Sequence, residues 1–193
     1  MEFGKNIKLI IFDFDGTLHD LKLDWSAARR ILGIEGTSES MGDAIDNLKR
    51  KNNTRPLKKL TQMEEEALAG SELDPVTKQT LQSLKQKYTI AIFSRNSGRA
   101  IEHFLERNGA PMDYVVGRED VTRLKPDPEG VQKIIRYFGL KSEQVLFVGD
   151  TWHDLLVAKT VGIKCVIVGN NFKHDNEVPE HRVAAIKDLG EVL

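Results

Sequence analysis

Short, continuous runs of β-branched and aromatic residues alternate with helix-patterned stretches, and that alternation narrows the fold more than any other feature of this chain. Residues 7–14 (IKLIIFDF), 88–94 (YTIAIFS), 114–117 (YVVG), 144–150 (QVLFVGD) and 164–169 (KCVIVG) are apolar nearly throughout, not at every second position. A strand covered on both faces has that pattern, whereas a strand with one wet face alternates. Between these runs, residues 76–87, 98–108, 128–138 and 154–161 carry apolar side chains at helical spacing. Leu81, Leu84 and Tyr88 mark one such face, and Ile101, Phe104 and Leu105 another. Strand–helix–strand repetition implies parallel strands joined by right-handed crossovers. The expected fold is therefore α/β, a doubly wound Rossmann-like parallel sheet.

One stretch breaks the rhythm. Residues 15–87 separate the first two runs, several times the length of an ordinary crossover. Within it, residues 24–32, 39–50 and 56–69 read as helices, with Trp25, Ala28 and Leu32, and then Met41, Ile45 and Leu48, on apolar faces. Asp24 and Ser38 suit N-cap positions and Pro56 a first helical turn. Gly33, Gly36, Asn52, Asn53 and Gly70 punctuate the segment as turns. Residues 18–72 are thus expected to form a small helical cap domain inserted after the first strand, on a core made of residues 1–17 and 73–193.

Composition removes several classes of function. The 193 residues carry 28 Lys+Arg against 29 Asp+Glu, a formal net charge of −1, where a dedicated nucleic-acid binder is usually basic. No apolar run approaches the roughly 18 residues of a membrane span. The N-terminal apolar stretch is broken at Asp13, too early and too acidic for a signal peptide. Cys165 is the single cysteine, so no internal disulfide can form, which fits a reducing, cytoplasmic setting. The expectation is a chain with no membrane or nucleic-acid partner, a monomer or a homodimer.

The residues at the strand ends carry the chemistry. Asp13 and Asp15, in DFDGTL, share one face of an extended segment while Phe12 and Phe14 point the other way. In open parallel sheets ligands bind beyond the carboxyl ends of the strands. Two carboxylates held together there invite a divalent cation or a division into acid and nucleophile. An Asp-Gly turn by itself is equally compatible with an ordinary hydrated turn. A second acidic pair, Asp150 and Asp154 in GDTWHD, closes the fourth run and opens a helix, where an N-cap role is the plainer alternative. Ser94 ends the second run with a hydroxyl, and Lys125 sits in the two-proline loop RLKPDP. Taken singly, each has an ordinary structural explanation. Taken together, they all fall where a strand ends.

The ordered set DFDGT, IFS, LKPDP and GDTWHD resembles the four motifs of the haloacid dehalogenase superfamily, in its phosphatase branch with phosphoglycolate-phosphatase-like layout. The resemblance implies a Mg²⁺-dependent phosphatase acting on a small phosphate ester through an aspartyl-phosphate intermediate, with a phosphoglycolate-type compound, a sugar phosphate or a nucleotide monophosphate as substrate. It implies Asp13 as nucleophile, Asp15 as acid and then base, Ser94 as hydrogen-bond donor to the phosphoryl group and Lys125 as charge balance. It further implies Mg²⁺ held by Asp13, the Asp15 main-chain carbonyl and Asp150, with Asp154 acting nearby or orienting Lys125. Asp15 favours phosphate over carbon–halogen chemistry, because a halide leaves without a proton. Many relatives follow the second-motif hydroxyl directly with Asn; here Arg95 intervenes before Asn96. A phosphomutase of the same superfamily and a phosphate-switched or non-catalytic binding module are the alternatives.

Other features read as structural. The five histidines, His153, His174 and His181 among them, form no metal set, and Cys165 reads as a buried, inert thiol. The cluster Lys49, Arg50, Lys51, Arg55, Lys58 and Lys59 reads as a solvated helix face balanced by residues 64–66.

Overall fold

The structure, a computed structural model, describes residues 6–170, 172–174, 176 and 178–193; the first five residues of the expected core segment lie outside that range. Strands β1 (Leu9–Phe12), β2 (Thr89–Phe93), β3 (Tyr114–Val116), β4 (Val145–Gly149), β5 (Lys164–Val168) and β6 (Arg182–Val183) form one sheet in the order β3-β2-β1-β4-β5-β6. All of its pairings are parallel. The expected sheet is present, with one strand more than the sequence showed. β6 is a two-residue edge strand, too short to produce a hydrophobic run of its own.

Alternate residues of β1 feed the two faces. Ile10, Phe12 and the following Phe14 belong to one buried cluster, and Leu9 and Ile11 to the other, as side-chain alternation requires. Helices α4 (Pro75–Lys85) and α5 (Gly98–Arg107) cover the first face through Leu81, Leu84, Ile101 and Phe104. Helices α6 (Glu129–Phe138) and α7 (Trp152–Val161) cover the second through Val131, Ile134, Leu155 and Val157. Helices on both faces make the sheet doubly wound. No helix among the described residues is long and apolar enough to cross a membrane.

Between β1 and α4 lie α1 (Trp25–Leu32), α2 (Met41–Arg50) and α3 (Thr54–Ala69). Asp24 caps α1, its side chain accepting from Ala27 N. The cap of α2 is Ser40, whose Oγ accepts from Asp43 N at 3.0 Å, and not Ser38: the helix starts where a hydroxyl finds an orphan first-turn amide. α3 begins two residues before Pro56, which still falls within the first turn. Ala28, Leu32, Ala44, Ile45 and Leu60 join the second core cluster, so the apolar faces of these helices are continuous with the sheet's own packing.

Two charges expected to be solvated are instead used to dock this segment. Lys49 is half-buried and donates to the main-chain carbonyls of Arg118 and Val121, while its neighbours Arg50, Lys51, Arg55, Lys58 and Lys59 are exposed. Glu64 of α3, only 2% exposed, accepts both guanidinium nitrogens of Arg118 at 2.7 Å each. Arg118, just past β3, also donates to Thr61 Oγ1 at 2.8 Å. Glu64 additionally receives Asn96 Nδ2 at 3.0 Å and Ser97 N at 3.1 Å. A bidentate pair with its remaining donors and acceptors satisfied is tolerated in a dry interface.

Removing one partner leaves the other charge buried alone. Glu64→Ala is expected to cost about 3–5 kcal/mol, read as a lower urea midpoint. The double variant Glu64→Ala/Arg118→Met should recover much of the loss. A Glu64→Ala midpoint equal to wild type would remove the pair from the account of stability.

Candidate active site

Parallel register brings the ends of β1 and β4 level. Phe12 pairs with Val148, and Asp13 N continues the ladder by donating to Val148 O at 2.8 Å. Asp13 therefore emerges beside Gly149 and Asp150. Ser94 leaves β2 in the same way, its N–H donating to Val116 O at 3.0 Å. The strand ends carrying Asp13, Ser94 and Asp150 thus converge on one edge of the sheet, whereas Lys125, expected at a strand end, comes from the loop well beyond β3.

Lys125 lies at the centre. It is almost wholly buried, with Nζ at 2.8 Å from Asp13 Oδ1 and 2.7 Å from Asp154 Oδ1. The ammonium also lies 5.6 Å from the ring centres of both Phe93 and Phe147, within cation–π range. Asp154 spends its other oxygen on Thr151, accepting from N at 3.0 Å and from Oγ1 at 2.6 Å. This is the third residue of α7 capping its own helix. Gly149 permits the approach: a Cβ there would lie 2.4 Å from the Asp154 carboxyl carbon. Gly16 does the same for Asp150, since a Cβ would fall 2.4 Å from its Oδ2, and its φ of +82° is one that glycine adopts freely.

Burial works against the Lys125 ammonium, but Asp13 and Asp154 outweigh it and hold the pKa above the ordinary lysine value. Asp154 goes the opposite way. Burial would raise it, and Lys125 with the Thr151 donors brings it below the usual range. Asp13 stays raised, because burial and the neighbouring Asp154 charge exceed the relief from Lys125 and from Phe14 N at 2.7 Å. Burial also lifts Asp15 to about 6, against a single main-chain donor, Leu21 N at 2.8 Å. Asp150 rises to about 7 through burial and the charges of Asp13 and Asp154, and Thr17 Oγ1 donates to it at 3.1 Å.

Carboxylate oxygens of Asp13, Asp150 and Asp154 lie within 4.8 Å of one another. Asp154 is already committed to Lys125 and Thr151, so Asp13 and Asp150 are the members with capacity left. An all-oxygen donor set carrying more negative charge than one lysine can balance suits a hard divalent cation. The residues present therefore fit Mg²⁺.

Asp13, Asp15, Ser94 and Lys125 line a cavity of about 370 Å³ between the sheet edge and the helical segment. Leu23, Trp25, Ser40, Met41, Ile45 and Leu60 close it from the other side. Ser94 is fully buried and its hydroxyl donates to Asn96 Oδ1 at 2.9 Å. Sequence reasoning missed Glu64, Arg118 and Asn96, which line the same cavity, and set His153 aside. His153 stacks on Trp152 with 3.8 Å between ring centres. Burial, then the Arg95 charge, lowers its pKa to about 4, and its buried Nδ1 has no hydrogen-bond partner among the described residues. His174 and His181 do not line the cavity. Cys165 is buried and its thiol is pushed up by that burial, as expected of an inert residue.

Comparison with known proteins agrees with this geometry. The sequence profile described as haloacid dehalogenase-like hydrolase matches residues 10–168. A phosphoglycolate phosphatase of Pseudomonas fluorescens strain Pf-5 is 27% identical over 211 aligned residues, covering 96% of this chain and 78% of that protein. Among solved structures, a predicted phosphoglycolate phosphatase from Haemophilus somnus 129pt superposes with a TM-score of 0.73 at 23% identity, covering 96% and 97% of the two chains. CbbY from Rhodobacter sphaeroides, solved in complex with phosphate, superposes with a TM-score of 0.71 at 20% identity, covering 95% and 96%. At these identities the two structures establish the shared fold.

Asp150 supplies a test of the site's charge balance. Its folded pKa of about 7 exceeds its ordinary 3.8, so proton uptake favours the folded state. That contribution is complete below the ordinary value and is lost as pH rises through about 7. In the presence of a chelator, lowering the pH from about 8 to about 5 should favour the folded wild type over folded Asp150→Asn, so that the melting-temperature difference between the two widens in favour of wild type, while His153 acts alike in both. Equal slopes in the two proteins would show that Asp150 is not the strained carboxylate described.

Proposed function

The chain belongs to the haloacid dehalogenase-like hydrolase family, and on that footing we propose that it is a Mg²⁺-dependent phosphatase of small phosphate esters, with Asp13 as nucleophile. The observation that carries the reading is the buried Asp13 carboxylate, held at the cavity floor by a lysine that it shares with Asp154. A structural ion pair has no need of a second carboxylate, Asp15, two residues on and facing the same cavity.

The roles follow from the contacts. Lys125 fixes Asp13 Oδ1, which leaves Oδ2 as the attacking oxygen. Attack forms an Asp13 oxygen–phosphorus bond as the ester oxygen–phosphorus bond breaks, and the departing oxygen takes the proton of Asp15. Water then attacks phosphorus, Asp15 takes its proton, and the bond to Asp13 breaks to release phosphate. An acid whose pKa sits near 6 can serve in both directions near neutral pH. Asp13, the Asp15 main-chain carbonyl and Asp150 would hold Mg²⁺, which supplies charge neutralisation for an anionic nucleophile meeting an anionic phosphate. Ser94 donates to a phosphoryl oxygen once its hydroxyl turns from Asn96. Phosphoryl transfer asks a protein mainly for this kind of positioning and charge stabilisation.

Helices α1 to α3 act as a cap that closes the cavity, a role supported by Leu23, Trp25, Met41 and Leu60 lining it opposite the strand ends. Among known relatives, the name phosphoglycolate phosphatase of the Pseudomonas protein supports a small phosphorylated metabolite as substrate. The single, buried, unpaired cysteine accords with a cytoplasmic setting.

The decisive measurement is phosphate release from a panel of small esters with Mg²⁺ or chelator. Release should require Mg²⁺ and fall at least about 10³-fold in Asp13→Asn, the scale of losing an activated nucleophile. Asp15→Asn should lower kcat about 10²–10⁴-fold, the scale of general acid–base catalysis. Release that persists in Asp13→Asn would overturn the assignment.

A further inference from the structure

One face of α2 meets the two core loops that serve the site. Gly42, Asp46 and Lys49 are spaced i, i+4 and i+7, so they lie along one side of the helix. The Arg95 guanidinium, from the loop after β2, packs on Gly42 so closely that a Cβ there would fall 2.4 Å from a terminal nitrogen. Asp46 reaches the loop between β3 and α6, where its two oxygens lie 3.2 and 3.3 Å from Leu124 N and accept from it. One turn further on, Lys49 donates to the main-chain carbonyls of Arg118 and Val121 in the same loop.

That loop delivers Lys125, and its main-chain groups are divided between two holders. Glu129, at the start of α6, accepts from Thr122 N at 2.7 Å and from Arg123 N at 3.2 Å. The N–H of buried Leu124, one residue before Lys125, has Asp46 as its sole acceptor among the described residues. A buried amide left without an acceptor is costly, so the docking of α2 and the position of Leu124 go together. Asp13 and Asp154 hold the Lys125 ammonium, while α2 holds the main chain from which it extends. Asp46 does not line the cavity, so its influence on the reaction runs through this loop.

Resting on the phosphatase reading above, we propose that Asp46 is a positioning residue: through Leu124 N it sets the main chain that brings Lys125 to Asp13, so that docking of the helical segment completes the support of the nucleophile. Lys49 acts beside it on the same loop. The plainer alternative is that Asp46 only fastens α2 to the core.

The test removes the acceptor and then returns it. Asp46→Ala should lower kcat for a small phosphate ester about 10-fold or more, the scale of a displaced catalytic group, with KM changed less than about threefold. Asp46→Asn keeps an acceptor oxygen and should recover most of kcat. A residue that only fastened α2 would lower the melting temperature and leave kcat intact. Lys49→Met, which frees the Arg118 and Val121 carbonyls, should act in the same direction and serves if Asp46→Ala does not fold. A kcat within about threefold of wild type in Asp46→Ala, or an equal loss in Asp46→Ala and Asp46→Asn, would overturn the proposal.

Proton exchange at the Lys125 ammonium asks the same question without turnover. Buried and paired twice, it should exchange slowly enough in wild type to give a proton–nitrogen correlation signal, assigned through its side-chain carbons. Asp46→Ala should speed that exchange about 10-fold or more, and Asp46→Asn should restore it. This pattern supports the positioning role even if no ester is hydrolysed, in which case the phosphatase reading alone fails. Exchange at the wild-type rate in Asp46→Ala, or no slowly exchanging Lys125 signal in wild type, would overturn the role.

Discussion

The site depends on keeping one ammonium group out of water. Lys125 lies between two aromatic rings and two carboxylates, where an unpaired charge would cost several kcal/mol. Many features of the core serve that placement. Gly149 admits Asp154, and Gly130 admits the Phe93 ring, since a Cβ at Gly130 would fall 2.2 Å from it. The β1–β4 register sets Asp13 level with the start of α7. α7 then turns Asp154 back toward the strand ends through its own capping bonds to Thr151. The same side chains that finish the sheet and begin the helix therefore fix Asp13 and Lys125.

A second buried ion pair has a different task. Glu64 and Arg118 join α3 to the segment after β3, and Glu64 also holds Asn96 and Ser97 on the loop that follows Ser94. The helical segment is thereby tied to the loop that carries both the Ser94 hydroxyl and Arg95. Lys49 adds a second tie, onto the carbonyls of Arg118 and Val121. Arg118 thus receives contacts from two helices of the segment. Asp46 of α2 accepts from Leu124 N, next to Lys125, so the segment is tied to the support of Asp13 as well.

How much of this was legible in the sequence depends on the range of each interaction. The sheet and its covering helices were readable because doubly buried strands leave continuous apolar runs. Asp13, Asp15, Ser94 and Asp150 were readable because each sits in a short motif just past a strand, and parallel topology gathers such termini at one edge; Lys125, well beyond β3, was marked by its two-proline loop. Glu64 and Arg118 were not, being 54 positions apart, with nothing local to mark either as buried. Lys49 looked solvated for the same reason. Gly42 resembled an ordinary helical glycine until Arg95 was seen against it. The α2 cap was misplaced by two residues because Ser38 and Ser40 are the same residue type, and only the bond to Asp43 N separates them. β6 was invisible because two residues at a sheet edge carry no periodicity.

The division of labour between Asp13 and Asp15 also follows from surroundings, since the two side chains are chemically identical. Both are raised, for different reasons. Asp13 has its charged form fully provided for, by Lys125 and by Phe14 N, and remains raised because it is buried beside Asp154. Mg²⁺ held by Asp13 and Asp150 would supply positive charge against that burial and repulsion. Asp15 has no cation partner among the described residues and accepts one hydrogen bond, from Leu21 N, so burial itself keeps its pKa near 6. Neutralising charge at Asp13 takes away only a lesser contribution to that rise. On the proposed reading, Asp13 would be relieved by Mg²⁺ held with Asp150, whereas the burial that keeps Asp15 near 6 would remain. Environments that separate the pKa values of paired carboxylates are how one site supplies both a nucleophile and an acid. Lys125 reaches Asp13, yet burial keeps both carboxyls raised.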